Sequence, residues 1–475
     1  MTIKESQWVE LVVLNKPGVL GRVAGHIRRE GWNIKHLTVD EDKKAADMST
    51  MEIDIEGKNT KLAQVMDRLL NLDCVVSIGM IQNGEKIVRH RAKEELKKVE
   101  VTEVVAKAPP KKDGVFRVLA INPGSTSTKF SVYDNELCIL SKTIRHSAAL
   151  LAEYDSILKQ KDFRKSIIMK SLEEAEINNT SIDAIAGQGG LLKPIESGVY
   201  TINEKMLEDL HSASAAIHAS ALGAIIAAEI AEHLKDSGAG FIPSYVVDPI
   251  VVDEMDRNAK LSGMPGIERS SVFHALNQKA IARRLAAELG KPYENARFIV
   301  AHLGGGITVG AHRYGRVIDV NDGLAGEGPF TPERAGAVPL IPVIKMCFSG
   351  EYTQEEMIEK VAGKGGMKAY LGTIDLTDVQ KMINDGDEFA ALVLDSMAYQ
   401  VSKEIGAMAA VLEGLVDAII LTGGLAYSNR FTGAIKQRVD KLAPVHVFPG
   451  EDEMLALVSG VLRVLRKTEQ PAQYK

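Results

Sequence analysis

VLAINPGSTSTKFSV, from Val118 to Val132, is the stretch on which the rest of the reading turns. An apolar run, Val118 to Ile121, stops at Asn122-Pro123-Gly124. Four hydroxyl residues, Ser125 to Thr128, and Lys129 follow, and then a second apolar run begins. Apolar runs broken by Pro-Gly predict two antiparallel strands joined by a small-residue turn. Such a turn offers backbone N–H groups, hydroxyl donors and a cation at one point, which is what holding a polyphosphate at a sheet edge requires. The Walker pattern GxxxxGK[ST] is absent and no helix follows directly, so this is a different phosphate loop. Gly-Ser-Thr alone would fit an ordinary polar hairpin; Asn122, Lys129 and the flanking strands favour phosphate.

Downstream, RFIVAHLGGGITVGAHRYGRVIDV (Arg297 to Val320) repeats the strand, Gly-rich turn and strand. Gly124 and Gly304 lie 304 − 124 = 180 positions apart. Two related hairpins at that spacing predict a duplicated fold with two lobes facing across a cleft. A third stretch, VDAIILTGGLAYSNR (Val416 to Arg430), reads as a buried strand ending in Thr422-Gly423-Gly424. Ligands of open α/β sheets collect at such strand ends.

Upstream, residues 8 to 81 read as a small βαββαβ unit. The predicted strands are WVELVVL, Asn33 to Val39, Met48 to Ile55 and Val75 to Ile81. Helices are expected over Val19 to Glu30, with Leu20, Val23 and Ile27 at helical spacing, and over Thr60 to Asn71. One open sheet face invites dimerisation. The charged, Pro-rich stretch that follows reads as a linker. The expected organisation is therefore 1–84, a linker over 85–114, and a larger unit over 115–475.

Bulk properties bound the function. A chain of 475 residues predicts two or three domains. A net charge of −6 gives no reason to expect nucleic acid or an acidic membrane as a partner. Cys74, Cys138 and Cys347 are far apart and fit no metal spacing, so reduced thiols in a cytoplasmic protein are expected. The most apolar helix, about Ala213 to Ala231, carries His218 and Glu229 and so reads as buried, with no membrane span.

Two resemblances sharpen this. LNKPGVLGRVAGHIRREGWNIKHLTV and MSTMEIDIEG resemble an ACT domain of the kind found in the regulatory small subunit of acetolactate synthase. That resemblance implies a ferredoxin-like fold and a branched-chain amino-acid effector held across a dimer interface, here by Asn15, Gly18 and Asn33. A helix N-terminus suits the effector's carboxylate. The larger unit, through INPGSTSTKFSVYD, TIRHS, GLLKPIESGVY, YVVDPIVVDEM, VFHALNQKAIARR, AHLGGGITVG, GEGPFTPERAG and GEDEMLALVSG, resembles butyrate kinase. That family belongs with acetate kinase in the two-lobed actin-like, sugar-kinase (ribonuclease H-like) fold. The resemblance implies an α/β enzyme that uses ATP and Mg²⁺ to phosphorylate a short-chain carboxylic acid. A homo-oligomer is expected.

The same resemblance implies site residues. Asn122, Ser125, Ser127 and Lys129 match the first phosphate hairpin, and His302, Gly304, Gly305 and Gly306 the second. Thr422, Gly423 and Gly424 fall where the family grips adenosine. Arg334 matches the arginine that bridges the transferring phosphoryl group, His274 the histidine that hydrogen-bonds it, and Asp248 the acid near the acceptor. Asp452 falls at the Mg²⁺-linked carboxylate, with Asn122 beside the ion and Glu453 as the fallback. Phosphoryl transfer to a carboxylate needs two anions aligned and their charge neutralised, which cations and N–H donors supply.

One departure stands out. Where the family is expected to read Gly-Arg-Gly-Gly, this chain has Gly187-Gln188-Gly189-Gly190, so Gln188 and Gly189 are the acceptor-side residues. A neutral amide for a guanidinium costs about 1–3 kcal/mol of binding or rate. Lys193 is the nearest compensating cation. Rival readings are a catalytically weakened, kinase-like sensor and a regulatory partner of an acetolactate synthase catalytic chain.

Overall fold

The structure is a computed structural model, and it describes residues 5–14, 19–20, 23–24, 27, 32–41, 48–57, 69, 75–82, 85–90, 108–212 and 219–475. The chain divides into two compact units, Met1–Glu100 and Val101–Lys475. Each is taken by itself.

The first unit is built on one antiparallel sheet. Its strands are β1 (Glu5–Leu14), β2 (Asn33–Glu41), β3 (Met48–Gly57), β4 (Val75–Gln82) and β5 (Glu85–His90), in the order β2-β3-β1-β4-β5. Alternation decides the buried face. Val9, Leu11 and Val13 of β1 join Met51, Ile53 and Ile55 of β3 in one core, and helical Val19, Val23 and Ile27 pack onto it. Glu85–His90, grouped with the linker for its charge, is instead an edge strand paired with β4. Charged residues are common on such strands because they discourage edge-to-edge pairing.

The second unit holds two sheets with the same plan. In the first lobe β6 (Arg117–Pro123), β7 (Ser127–Asp134) and β8 (Leu137–Arg145) form an antiparallel meander. β9 (Ala184–Gly187) lies parallel to β6, and β11 (Ser244–Val247) parallel to β9. β10 (Val199–Thr201) and β17 (Ala472–Gln473) extend that edge. In the second lobe β12 (Arg297–Leu303), β13 (Ile307–Arg313) and β14 (Arg316–Val320) repeat the meander. β15 (Ala418–Gly423) then lies parallel to β12, and β16 (Val445–Pro449) parallel to β15. The duplication read from the two glycine turns is thus a duplication of sheet topology.

Burial on both sheet faces explains the continuous apolar runs. In β6, Leu119 and Ile121 face helices α1 (Lys161–Glu174) and α2 (Ala221–Leu234) through Ile168, Leu172, Leu222 and Ile226. Val118 and Ala120 face the other side, with Leu457 and Val461 of the last helix. The second lobe packs α4 (Glu388–Val411) on its sheet, with Val393, Met397, Val401 and Ile405 at i, i+4 spacing against Ile299 and Val309. Each such side chain contributes about 1.5–3 kcal/mol when fully buried. Asp387 starts α4 by accepting the Ala390 N–H at 2.9 Å.

Two helices run between the lobes. α3 (Ala275–Glu288) follows the first-lobe strands and packs Ala282 and Leu285 on Phe298, Val300 and Ile420 of the second sheet. The last helix, here α6 (Glu453–Leu465), leaves the second-lobe strand β16 and packs on the first sheet. α5 (Asn429–Val439) covers α4. The apolar helix expected from Ala213 is described from Ala221, and residues 213–218 lie outside the described residues. Its Glu229 is paired with Lys161 and Lys165. No helix among the described residues is long and apolar enough to cross a membrane.

Candidate active site

The β6–β7 turn is organised from beneath. Asn122 lies opposite Lys129 and Pro123 opposite Thr128, and the Gly124 N–H closes the turn on the Ser127 carbonyl at 2.9 Å. Strand alternation puts Ser127 and Lys129 on one face and Thr128 and Phe130 on the other. Under the turn sits Arg164 of α1, fully buried. Its guanidinium donates to the carbonyls of Gly124 (2.9 Å), Ser127 (2.5 Å) and Ser125 (3.3 Å) and to Thr128 Oγ1 (3.2 Å). Thr128 Oγ1 also bonds His146 Nε2 at 2.8 Å. The Ser125 and Ser127 hydroxyls, on an exposed and a half-buried residue, have no hydrogen-bond partner among the described residues. Burial lowers the Arg164 guanidinium to about 10, still charged at neutral pH. Burial, then Arg164, hold the His146 ring down at about 4.

The β12–β13 turn works by leaving space. Its tip is Gly304, Gly305 and Gly306, with the Gly304 N–H on the Gly306 carbonyl at 3.1 Å. A side chain at Gly306 would begin 2.4 Å from Arg334 Nη1, and one at Gly304 would begin 3.2 Å from His302 Nε2. Arg334 comes to this spot on a loop pinned by Thr331. The Thr331 hydroxyl donates to the Gly305 carbonyl (2.7 Å) and accepts the Arg334 N–H (3.0 Å). Burial lowers the Arg334 guanidinium, Glu333 and Asp322 partly oppose this, and its buried Nη1 has no hydrogen-bond partner among the described residues.

His302 and Thr308 face each other across the same strand pair. His274, at the start of α3, lies over them. Its ring stacks on His302 with centroids 3.7 Å apart and planes 9° from parallel, and its Nδ1 is 2.9 Å from Thr308 Oγ1. Burial, then His302 and Arg334, hold His274 well below the ordinary histidine range, so the ring is neutral. His302 Nδ1 meets Asn277 Oδ1 at 2.9 Å, and its Nε2 faces Glu451 Oε1 at 3.0 Å.

Glu451 and Glu453 join the two hairpins. Asn122 Nδ2 donates to Glu453 Oε2. Burial, then Glu451, push the Glu453 carboxyl above its usual range. Burial also raises Glu451, but His302 and Lys129 outweigh it and hold that carboxyl below the usual range. Asp452, the expected metal-linked carboxylate, instead turns to the start of α6, where Oδ1 accepts the Leu455 N–H at 3.3 Å. An aspartate at a helix start is held by this local bond, which leaves its fallback, Glu453, facing Asn122.

Other expected residues sit apart from this cluster. The buried Asp248 is occupied by the Gly198 N–H (2.8 Å) and Arg283 Nη1 (3.0 Å), along a groove of about 780 Å³ beside α3 and α6. Burial raises its carboxyl, and Arg283 and Lys279 outweigh that. No hydrogen bond or ion pair among the described residues joins Asp248 to His274 or Arg334, so the structure gives it a structural partner where an acceptor-side acid was expected. Gln188 borders the first hairpin, its N–H on the Ile121 carbonyl at 3.0 Å. Gly187 and Gly189 let this strand end pack directly on Gly223 and Val246. Lys193 is committed to Asp209 at 2.8 Å and so does not stand in for the missing arginine. The Thr422 hydroxyl donates to the Gly450 carbonyl (3.2 Å), and Gly423, with φ at +93°, packs against Leu303 at the base of the second hairpin. Gly424 is exposed beside them. Of the effector residues, Asn15 and Gly18 lie outside the described residues, and Asn33 is exposed at the start of β2.

The donor set fits a nucleotide and a hard divalent cation: an unpartnered guanidinium N–H, free hydroxyls, a side-chain-free turn, and an amide beside a carboxylate. Mg²⁺ is commonly held by one or two carboxylates together with phosphate oxygens. Sequence reading missed Arg164, Thr331 and Glu451. Glu451 was discoverable from the run Glu451-Asp452-Glu453; the other two had no local signal.

Residues 258–442 match the acetokinase family, and residues 9–77 match the AHAS small subunit-like ACT domain. The chain carries an acetokinase-family domain and an N-terminal ACT domain. Its enzyme class is accordingly that of a phosphotransferase with a carboxyl group as acceptor. Solved structures with the same fold include acetate kinase from Porphyromonas gingivalis, at 18% identity and a TM-score of 0.59 over 74% of this chain and 100% of that one. A propionate kinase from Francisella tularensis matches at 20% identity and 0.55, over 73% and 98%. Acetate kinase from Entamoeba histolytica matches at 18% and 0.59, over 72% and 98%. At these identities the likeness is one of fold.

Proposed function

We propose that residues 115–475 transfer the γ-phosphoryl group of ATP to the carboxylate of a short fatty acid of the butyrate type, reversibly, giving an acyl phosphate and ADP. The observation that carries this reading is the buried Nη1 of Arg334, unpartnered beside the side-chain-free Gly306. A buried charged donor without an acceptor is costly unless a ligand supplies one, and a transferring phosphoryl group supplies anionic oxygens. A carboxylate oxygen forms a bond to the γ-phosphorus as the bond to the β,γ-bridging oxygen breaks. Arg334 and His274 stabilise the charge on the equatorial oxygens. Ser125, Ser127, Lys129 and the Gly304–Gly306 turn hold the phosphate chain, His302 supports the second hairpin, and Thr422, Gly423 and Gly424 border the nucleoside. Asn122 and Glu453 are the residues that would hold Mg²⁺, whose chemistry here is to neutralise phosphate charge.

Gln188 and Gly189 border the acid. A neutral amide at that position favours acids that bind through apolar surface, so butyrate and branched acids such as isobutyrate are proposed over acetate. We also propose that a branched-chain amino acid binds the ACT domain at Asn15, Gly18 and Asn33 and alters turnover. The match over residues 9–77 supports that part. The enzyme is proposed to work in the cytoplasm as a homo-oligomer.

The test is a hydroxylamine trap for acyl phosphate with ATP, Mg²⁺ and C2 to C6 acids, with and without millimolar valine, leucine or isoleucine. Hydroxamate peaking at C4 supports the reading, and its absence with every acid sinks it. Unchanged turnover and oligomeric state with all three amino acids sinks the regulatory part alone.

A further inference from the structure

His274 is the end of a buried hydrogen-bond chain that leads away from the crevice. The Tyr293 hydroxyl is 2.7 Å from His312 Nδ1, and His312 Nε2 is 2.9 Å from Gln278 Oε1. Gln278 Nε2 is 2.9 Å from Thr308 Oγ1 and 3.1 Å from the Thr308 carbonyl. Thr308 Oγ1 is 2.9 Å from His274 Nδ1. Gln278, Thr308 and His312 are completely buried, and Tyr293 nearly so. Gly310 makes room for the chain, since a side chain there would begin 2.6 Å from Gln278 Oε1.

The chain has one direction. A backbone carbonyl only accepts, so the Gln278 atom facing the Thr308 carbonyl is the amide nitrogen. The amide oxygen therefore faces His312 Nε2, which must carry a proton. Burial keeps the His312 ring neutral, so its Nδ1 accepts from Tyr293, whose phenol burial keeps protonated. The Gln278 nitrogen accepts nothing. The Thr308 hydroxyl proton then has a single acceptor among the described residues, His274 Nδ1. A neutral His274 accepting at Nδ1 carries its proton on Nε2, the nitrogen with no protein partner among the described residues.

We propose that Gln278 and Thr308, backed by His312 and Tyr293, are positioning residues that fix His274 as the Nε2–H tautomer, a ready-made hydrogen-bond donor toward the transferring phosphoryl group. This rests on the function proposed above. With the wrong tautomer His274 would present a lone pair to an anion and repel it.

The experiment uses the full chain labelled with ¹⁵N-histidine. Long-range ¹H–¹⁵N correlation distinguishes protonated from bare ring nitrogens, and His274→Gln assigns the resonances. Wild type is expected to show His274 with a proton on Nε2 and a bare Nδ1. Thr308→Val, which keeps the strand and removes the hydroxyl, is expected to mix the tautomers. It should also lower kcat about 10- to 100-fold while leaving KM for ATP and acid within about 3-fold. Thr308→Ser should restore most of the rate. Gln278→Met should behave as Thr308→Val does. A wild-type His274 protonated at Nδ1 overturns the proposal, as does a Thr308→Val enzyme with wild-type tautomer and kcat. If Thr308→Val does not fold, the wild-type spectrum still decides. Should no acid be phosphorylated, the proposed function fails while the tautomer is still read from the spectrum.

Discussion

The two glycine-bearing hairpins occupy equivalent places in the two lobes, yet they are built on opposite strategies. The β6–β7 turn is filled: Arg164 takes up its carbonyls, Thr128 bonds His146, and the outer face keeps hydroxyls and Lys129. The β12–β13 turn is emptied: Gly306 leaves the space in which Arg334 sits, and Gly304 borders His302. One hairpin supplies donors of its own, and the other lets donors from elsewhere in the chain come close. Under the proposed function, a duplicated fold would thus hold one end of a phosphate chain still while doing chemistry at the other.

This contrast can be broken in graded ways. Arg334→Ala is expected to lower kcat about 1000-fold in the hydroxylamine assay, because the charge that enters the emptied turn is gone. Gly306→Ala should lower kcat about 100-fold by displacing the same guanidinium. Its thermal stability should stay within about 1 kcal/mol of wild type, since the closest clash is with a flexible side-chain end and the Gly323 carbonyl, 3.2 Å away, need give by only a few tenths of an ångström. Arg164→Met should do the reverse. Stranding several buried carbonyls costs about 2–4 kcal/mol, seen as a lower melting temperature, while KM for ATP rises more than kcat falls. A Gly306→Ala protein that melts early, or an Arg164→Met protein of normal stability, would erase the distinction between the hairpins.

A separate effect concerns pH. His146 titrates near 6.5 when unfolded and about 4 when folded. Between those values the unfolded chain binds more proton, so this contribution is complete above pH 6.5 and fades as pH falls toward 4. It amounts to about 3 kcal/mol over the window. Denaturant titrations across that range should show a shallower acid slope for His146→Gln.

Both hairpins were legible because each is a local event: an apolar run, a Gly-containing break and another apolar run. Their equivalence was legible too, since Gly124 and Gly304 head matching stretches. What holds the first turn was not, because Arg164 is forty positions from Gly124 and carries no local mark. Residue type alone did not give the partners of two expected site residues. Asp452 looked like the metal-linked carboxylate, but an aspartate at a helix start satisfies the nearest N–H, and the longer Glu453 reaches Asn122. Asp248 was expected as the acid near the acceptor, and its guanidinium partner, Arg283, which lies on a helix 35 positions on, carried no local signal.

The helices running between the lobes have their first residues at the crevice: α3 begins beside His274 and α6 with Glu453. Each rod packs on one sheet and its tip meets the hairpin of that same lobe: α3 on the second sheet with His274 against Thr308 and His302, α6 on the first with Glu453 against Asn122. A change in the angle between the lobes would therefore carry the two tips apart, like the jaws of a pair of tongs. Under the proposed function, letting product out and disarming the reacting groups would then be a single movement, leaving an opened enzyme with no assembled machinery with which to waste ATP on water.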